Sequence, residues 1–176
     1  MTRTRVGIVG AGQLGRMLAL AGYPMGVRCV FLDRSADASG AQVAPIIVGD
    51  LQDPKKLAQL AARSDVVTFD WENISGSALA PLRHMVAVRP PRTALQVSQD
   101  RIREKALFVK LKIPVAPHAA VDGARQLSRA VFELGAPGVL KTRRLGYDGK
   151  GQFLLRTARD VDAAWAALGG AGLIYE

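Results

Sequence analysis

Two glycine-rich stretches hold most of the residues that could do chemistry. In the first, Gly10, Gly12 and Gly15 follow the short apolar run Val6–Val9 at G-x-G-x-x-G spacing, and Leu14, Met17, Leu18 and Ala21 then recur at helical intervals. Glycines at such a strand-to-helix turn let backbone N–H groups approach an anion, and the helix N-terminus behind them favours negative charge. The spacing suits a dinucleotide, a mononucleotide or a sugar phosphate equally. In the second stretch, VLKTRRLGYDGKGQ (Val139 to Gln152), Lys141 ends a strand and is separated by four residues from Gly-Tyr-Asp-Gly-Lys-Gly. One fixed cation facing an amide-rich flap fits a polyphosphate. The amides of Gly146, Gly149 and Gly151 would cradle phosphoryl oxygens, while Lys141 and Lys150 offset their charge.

Other reactive side chains are sparse. The single cysteine, Cys29, lies within the apolar run RCVFLD and reads as a strand residue, with no partner for an internal disulfide. His84 and His118 stand far apart with no cysteine or carboxylate cluster near either, which argues against a structural zinc site. The net charge of +9 raises the question of a polyanionic partner. The arginines and lysines are scattered, however, and no basic run is interleaved with aromatics. A basic surface that attracts phosphorylated small molecules fits better than nucleic-acid binding. No apolar stretch reaches the ~18 residues of a membrane span, and MTRTRVGIV runs straight into the first strand without a cleavable leader. A cytoplasmic protein is expected.

These residues need a scaffold. Strand-like runs RCVFLD (28–33), PIIVG (45–49), DVVTFDWEN (65–73) and VAVRP alternate with helical patterns in DPKKLAQLAARS and SALAPLR. Such β-α alternation predicts a doubly wound parallel sheet with ligands at the carboxyl ends of its strands. Asp33 ends the second strand, where an NAD enzyme would hold its ribose. One long amphipathic helix is predicted over 91–113, ended by Pro-Val-Ala-Pro, with a domain junction at 95–116. Beyond it, HAAVDG and PGVLKTR read as strands around the helix ARQLSRAVFELG. GQFLLRT forms a hairpin with PGVLKTR, RDVDAAWAALG is a second helix, and AGLIYE a last apolar strand.

Together, GAGQLGRM, WEN, QDRIREK before the proline break, and VLKTRRLGYDGKGQ resemble the 5-(carboxyamino)imidazole ribonucleotide synthase family of the ATP-grasp superfamily. The resemblance implies an α/β chain: a Rossmann-like pre-ATP-grasp domain (1–100), a linker helix and junction (101–116), and the small ATP-grasp subdomain (117–176). Family members continue for about as long again, so the C-terminal ATP-grasp sheet is expected to be absent from this chain, leaving it inactive alone. The implied reaction joins bicarbonate to aminoimidazole ribonucleotide at the expense of ATP, through carboxyphosphate. By the same resemblance, the first glycine turn serves the ribonucleotide and not a dinucleotide, with Gly12, Gln13 and Leu14 facing it across from Glu72 and Asn73. Arg101 and Lys141 match the nucleotide-phosphate cations. Gly146, Tyr147, Asp148, Gly149, Lys150, Gly151 and Gln152 match the flap, and Glu176 begins the segment that bonds the adenine edge. Tyr147 and Asp148 are the implied catalytic pair, the first a hydrogen-bonding orienter, the second handling the amine proton or orienting the imidazole. Magnesium is implied, with its ligands beyond Glu176 and none in this chain, as is a homodimer. Two departures stand out: Ala11 where glycine is common, and Asp70 where glutamate is frequent.

Overall fold

Short runs of apolar residues ending in glycine, proline or charge build the strands of both halves. The computed structural model describes residues 4–146, 149–170 and 172–176. The chain divides into two units, Met1–Gln96 and Val97–Glu176.

In the first unit, β1 (Arg5–Val9), β2 (Arg28–Asp33), β3 (Ile46–Val48), β4 (Val66–Phe69) and β5 (Ala87–Val88) form a five-stranded sheet in the order β3-β2-β1-β4-β5. Every pairing is parallel, as the β-α alternation predicts. The last strand is shorter than the expected VAVRP, since Pro90 and Pro91 have no amide hydrogen to extend the ladder. The helices are α1 (Gln13–Gly22), α2 (Pro54–Ala62), α3 (Gly76–Leu79) and α4 (Arg92–Ser98). The register sets Ile8 beside Phe31 and Val9 beside Leu32. Because successive strand side chains point to opposite faces, the two pairs serve different cores. Val9, Val30 and Leu32 pack with Leu57 and Leu60 of α2, and Ile8 and Phe31 pack with Ala19 of α1. Cys29 lies on β2 opposite Val6, half-buried.

The helical period of Leu14, Met17 and Leu18 marks the outward face of α1, where these side chains are 61%, 58% and 48% exposed. The buried face is made of Gly15, Ala19 and Gly22. Close approach is the reason: a Cβ on Gly15 would stand 3.0 Å from the Gly10 carbonyl oxygen and 3.1 Å from a Phe31 ring carbon. Only small residues fit against the sheet there, which sends the large ones outward.

The second unit contains α5 (Arg101–Lys110), β6 (Ala119–Val121), α6 (Ala124–Leu134), β7 (Gly138–Thr142), β8 (Gln152–Leu155), α7 (Val161–Leu168) and β9 (Leu173–Tyr175). Its sheet is antiparallel in the order β6-β9-β7-β8. The expected hairpin is present, with Lys141 opposite Gln152. Leu127, Ala130 and Val131 of α6 and Ala164 of α7 share one core with Val121, Leu140, Leu155, Leu173 and Tyr175.

The single helix expected over 91–113 is two. The chain leaves helical geometry at Asp100 (φ −136°, ψ 112°), whose carboxylate accepts the Ile102 N–H at 3.0 Å and so starts α5 afresh. At the other end α5 stops at Lys110, and Lys112 takes a positive φ of 59° ahead of the prolines.

The assignment of faces on α1 can be checked directly. Gly15→Val should lower unfolding stability by about 1–3 kcal/mol through overpacking, whereas Met17→Gln should change it by no more than about 0.5 kcal/mol. Urea unfolding of the two variants measures both.

Candidate functional site

In the first unit, the glycine turn sits at the carboxyl end of β1 and opens α1. Three of its amides are already engaged. The Gly10 N–H donates to the Leu32 carbonyl at 2.8 Å, the Ala11 N–H to Asp33 Oδ2 at 2.7 Å, and the Gly12 N–H to Asp70 Oδ2 at 2.8 Å. Asp33 Oδ1 also accepts the Ser35 N–H at 3.0 Å. Carboxylates at the ends of β2 and β4 therefore supply the negative charge that the turn and the helix dipole favour. A phosphate seated on the same amides would meet two carboxylates. Asp33, in the place of a ribose-binding acid, is spent on the turn.

Beside the turn lies a cavity of about 330 Å³ lined by Gly10, Gly12, Asp33, Arg34, Leu51, Asp70 and Trp71. The Arg34 guanidinium sits 5.7 Å over the Trp71 ring and pairs with Asp50 at 3.0 Å. Gln13 and Leu14 occupy the first turn of α1, both exposed, while Glu72 and Asn73 follow β4, where the Asn73 amide donates to Glu72 Oε1 at 3.0 Å. Asp70 also borders an apolar hollow of about 440 Å³ formed by Leu14, Met17, Leu18, Ala21 and Phe69.

In the second unit, the segment after β7 is tied to the start of α5. Arg143 grips buried Asp100 with two hydrogen bonds, Nε to Oδ1 at 3.2 Å and Nη2 to Oδ2 at 2.8 Å. Burial alone would raise the Asp100 carboxyl, but hydrogen bonds from Arg143 and Ile102 and the Arg143 charge hold it below its ordinary value. Arg101 donates from Nε to the Thr142 carbonyl at 3.2 Å and from Nη2 to the Gly146 carbonyl at 3.3 Å. Arg144 Nη2 donates to Gln99 Oε1 at 3.2 Å. Gly151, at φ +69°, accepts the Thr142 N–H at 2.8 Å, and a Cβ there would stand 2.7 Å from Thr142 Oγ1. These ties shape a cavity of about 570 Å³ lined by Asp100, Thr142, Arg143, Arg144, Leu145, Lys150, Gly151 and Gly172. With Asp100 paired to Arg143, the wall keeps an excess of positive charge from Arg144 and Lys150, which suits an anion.

A third cluster joins two predicted residues to one that sequence reasoning missed. Glu176 Oε1 is 2.5 Å from Lys141 Nζ, and Glu176 Oε2 is 2.6 Å from Lys105 Nζ. Burial would raise the Glu176 carboxyl, yet the two lysines, through hydrogen bonds and charge, hold it below the ordinary carboxylate value. Lys105 follows Arg101 by four residues on α5, a spacing that puts both on one helix face. That was the available signal. Gln152 lies across the ladder from Lys141, Gly149 has φ +73°, and Lys150 is exposed. Tyr147 and Asp148, the expected catalytic pair, lie outside the described residues. Among the described residues, no helix is long and apolar enough to cross a membrane.

Comparison with known proteins follows the same division. The family described as the ribonucleotide synthetase preATP-grasp domain matches residues 3–99, and the ATP-grasp domain matches residues 106–176. The N5-carboxyaminoimidazole ribonucleotide synthase of Pseudomonas aeruginosa is 44% identical over 172 residues, covering 98% of this chain and 48% of its own length. A solved structure of an N5-carboxyaminoimidazole ribonucleotide synthetase in complex with ADP superposes with a TM-score of 0.93 at 41% identity, covering 100% of this chain and 47% of that one. The Aspergillus clavatus synthase, in complex with ADP and 5-aminoimidazole ribonucleotide, superposes with a TM-score of 0.87 at 27% identity, covering 98% of this chain and 46% of that one. The chain spans about half the length of the curated relatives it matches.

Asp100→Ala should cost about 2–3 kcal/mol, because it removes a helix cap and leaves the Arg143 guanidinium only Asp122, at 4.0 Å, as a counter-charge. Urea unfolding checks this. The acid dependence follows from the lowered carboxyls of Asp100 and Glu176. A carboxyl lower in the folded than in the unfolded state stabilises fully above its unfolded value, about pH 4, and loses that contribution as pH falls through the folded value. The urea midpoint should therefore fall below about pH 4, and Asp100→Asn should flatten that fall while lowering the midpoint at neutral pH.

Proposed function

Because the chain belongs to the ribonucleotide synthetase preATP-grasp family and runs on into an ATP-grasp match, we propose that it is the nucleotide- and ribonucleotide-binding half of an ATP-dependent carboxylating ligase of purine biosynthesis. The proposed reaction converts 5-aminoimidazole ribonucleotide, bicarbonate and ATP to N-carboxyaminoimidazole ribonucleotide, ADP and phosphate through carboxyphosphate. In this reading residues 1–100 are the pre-ATP-grasp domain, 101–116 the junction, and 117–176 the small ATP-grasp subdomain. A homodimer belongs to it, supported by the outward apolar face of α1, as does a cytoplasmic location.

The observation that carries the proposal is the cation-lined pocket after β7, beside Lys141 at the end of the same strand. Bicarbonate attack on a γ-phosphoryl group spreads negative charge over phosphate oxygens, and fixed cations with backbone amides stabilise that charge without reorganising. Lys141 and Lys150 supply the cations, with the amides of Gly146, Gly149, Gly151 and Gln152 beside them. Arg101 serves beside Lys141 as a phosphate cation, while its Nε and Nη2 bonds to Thr142 and Gly146, with those of Arg143 to Asp100, hold the segment in shape. Glu176 leads to the adenine edge. Tyr147 orients the acceptor by hydrogen bonding, and Asp148 handles its amine proton or orients its imidazole.

In the first unit, Gly12, Gln13, Leu14, Glu72 and Asn73 receive the ribonucleotide. Since Asp33 and Asp70 occupy the Ala11 and Gly12 amides, hydroxyl or amine donors of the ribonucleotide suit those carboxylates. Magnesium, when bound, would supply positive charge to offset that of the phosphates in such a transfer. Among the described residues no group of three or more His, Cys, Asp or Glu is placed to hold it, and Glu176 is committed to two lysines.

Isothermal titration tests the nucleotide site. ADP should bind the chain, NADH should not, and Lys141→Ala should weaken ADP at least about tenfold, close to 1.4 kcal/mol. A chain that binds NADH and ignores ADP would overturn the reading.

A further inference from the structure

The cluster around Glu176 holds more charge than its carboxylate can balance. Two ammonium groups face it from opposite oxygens, Lys141 at 2.5 Å and Lys105 at 2.6 Å, leaving one positive charge in excess. Glu176 and Lys105 are both withdrawn from solvent, their side chains 12% and 15% exposed. A buried carboxylate stripped of its partner is strongly disfavoured. Were Lys141 alone paired to Glu176, drawing its ammonium toward a phosphate would leave such a carboxylate behind, and the pair would resist.

Lys105 removes that conflict. It reaches Glu176 from α5, whose first residue, Arg101, fixes the Thr142 and Gly146 carbonyls. The helix therefore holds both the flap's root and the carboxylate. We infer that Lys105 is a positioning residue of the nucleotide site: it retains Glu176 so that Lys141 is free to turn to a polyphosphate. The inference rests on the nucleotide reading above. Lys105 acts through Glu176 and is not assigned a phosphate contact of its own.

The test is a cycle of variants titrated with ADP and with adenosine, each first checked for a native thermal transition. In Lys105→Met, the undivided carboxylate holds Lys141 more tightly. ADP affinity should fall about tenfold, the size of one charge-assisted hydrogen bond, while adenosine, which has no phosphate for Lys141 to meet, should lose less than about threefold. Lys105→Arg should restore ADP affinity to within about twofold. In a Glu176→Gln background, adding Lys105→Met should cost less than about twofold, since the carboxylate it acts through is gone. Equal losses in both backgrounds would make Lys105 a direct phosphate ligand and overturn the positioning role. So would an unchanged ADP affinity in Lys105→Met, or a parallel loss for adenosine, which would mark a general structural defect. If the unaltered chain binds neither ADP nor ATP, the nucleotide reading itself falls, an outcome distinct from these.

Discussion

A carboxylate withdrawn from water must find partners, and the second unit is arranged around that requirement at Asp100. Its partners come from two places: the Ile102 amide just ahead in the chain, and the Arg143 guanidinium beyond β7. Meeting both breaks what would be a continuous helix and brings the root of the flap against α5. With that contact made, Arg101 reaches the Thr142 and Gly146 carbonyls, and Arg144 reaches Gln99. The cation-lined pocket is a consequence of these ties. Its wall consists of groups whose positions are set by satisfying one buried charge.

The two glycine-rich turns show how similar backbone permits opposite electrostatics. Both place amides at the end of a strand. Around the first, Asp33 and Asp70 close on the Ala11 and Gly12 amides, and their oxygens there accept hydrogen bonds. Around the second, the neighbouring side chains are Arg143, Arg144 and Lys150, and the capacity is for anions. The net charge of +9 carries no information about this partition. What matters is which strand ends lie next to each turn. In the parallel sheet these are β2 and β4, both ending close to an aspartate, and in the antiparallel sheet the chain returns through arginines and lysines.

Strand order has a similar influence on Glu176. Because β9 lies between β6 and β7, Glu176 exchanges backbone hydrogen bonds with Val139 and its side chain comes beside Lys141. Lys105 completes the cluster from α5. Relatives of about twice this length have been solved with ADP, and in one case with the ribonucleotide also. The residues proposed for those two ligands fall in different units of this chain, one group around the carboxylate-closed turn and one around the cation-lined pocket.

Much of this was legible in the order of residues alone. The alternation of apolar strand runs with helical periods determines the parallel sheet, the β7–β8 hairpin follows from two apolar runs around a glycine-rich turn, and the spacing of Gly10, Gly12 and Gly15 marks the first turn. These are local patterns, governed by the two-residue period of a strand and the 3.6-residue period of a helix. The tertiary structure decided the rest. Asp100 looks like one more polar residue in a long helix until Arg143, 43 positions away, claims its carboxylate. Leu14, Met17 and Leu18 have the period of a helix, but only close packing against Phe31 reveals that Gly15 and Ala19 form its inner face. Whether a glycine turn offers its amides to a ligand depends on Asp33 and Asp70, and whether Lys141 stands alone depends on Lys105. Such pairings join groups far apart in the chain, 22 positions for Ala11 with Asp33 and 58 for Gly12 with Asp70, and charge acts through space, so they exist only once strand order has brought those groups together.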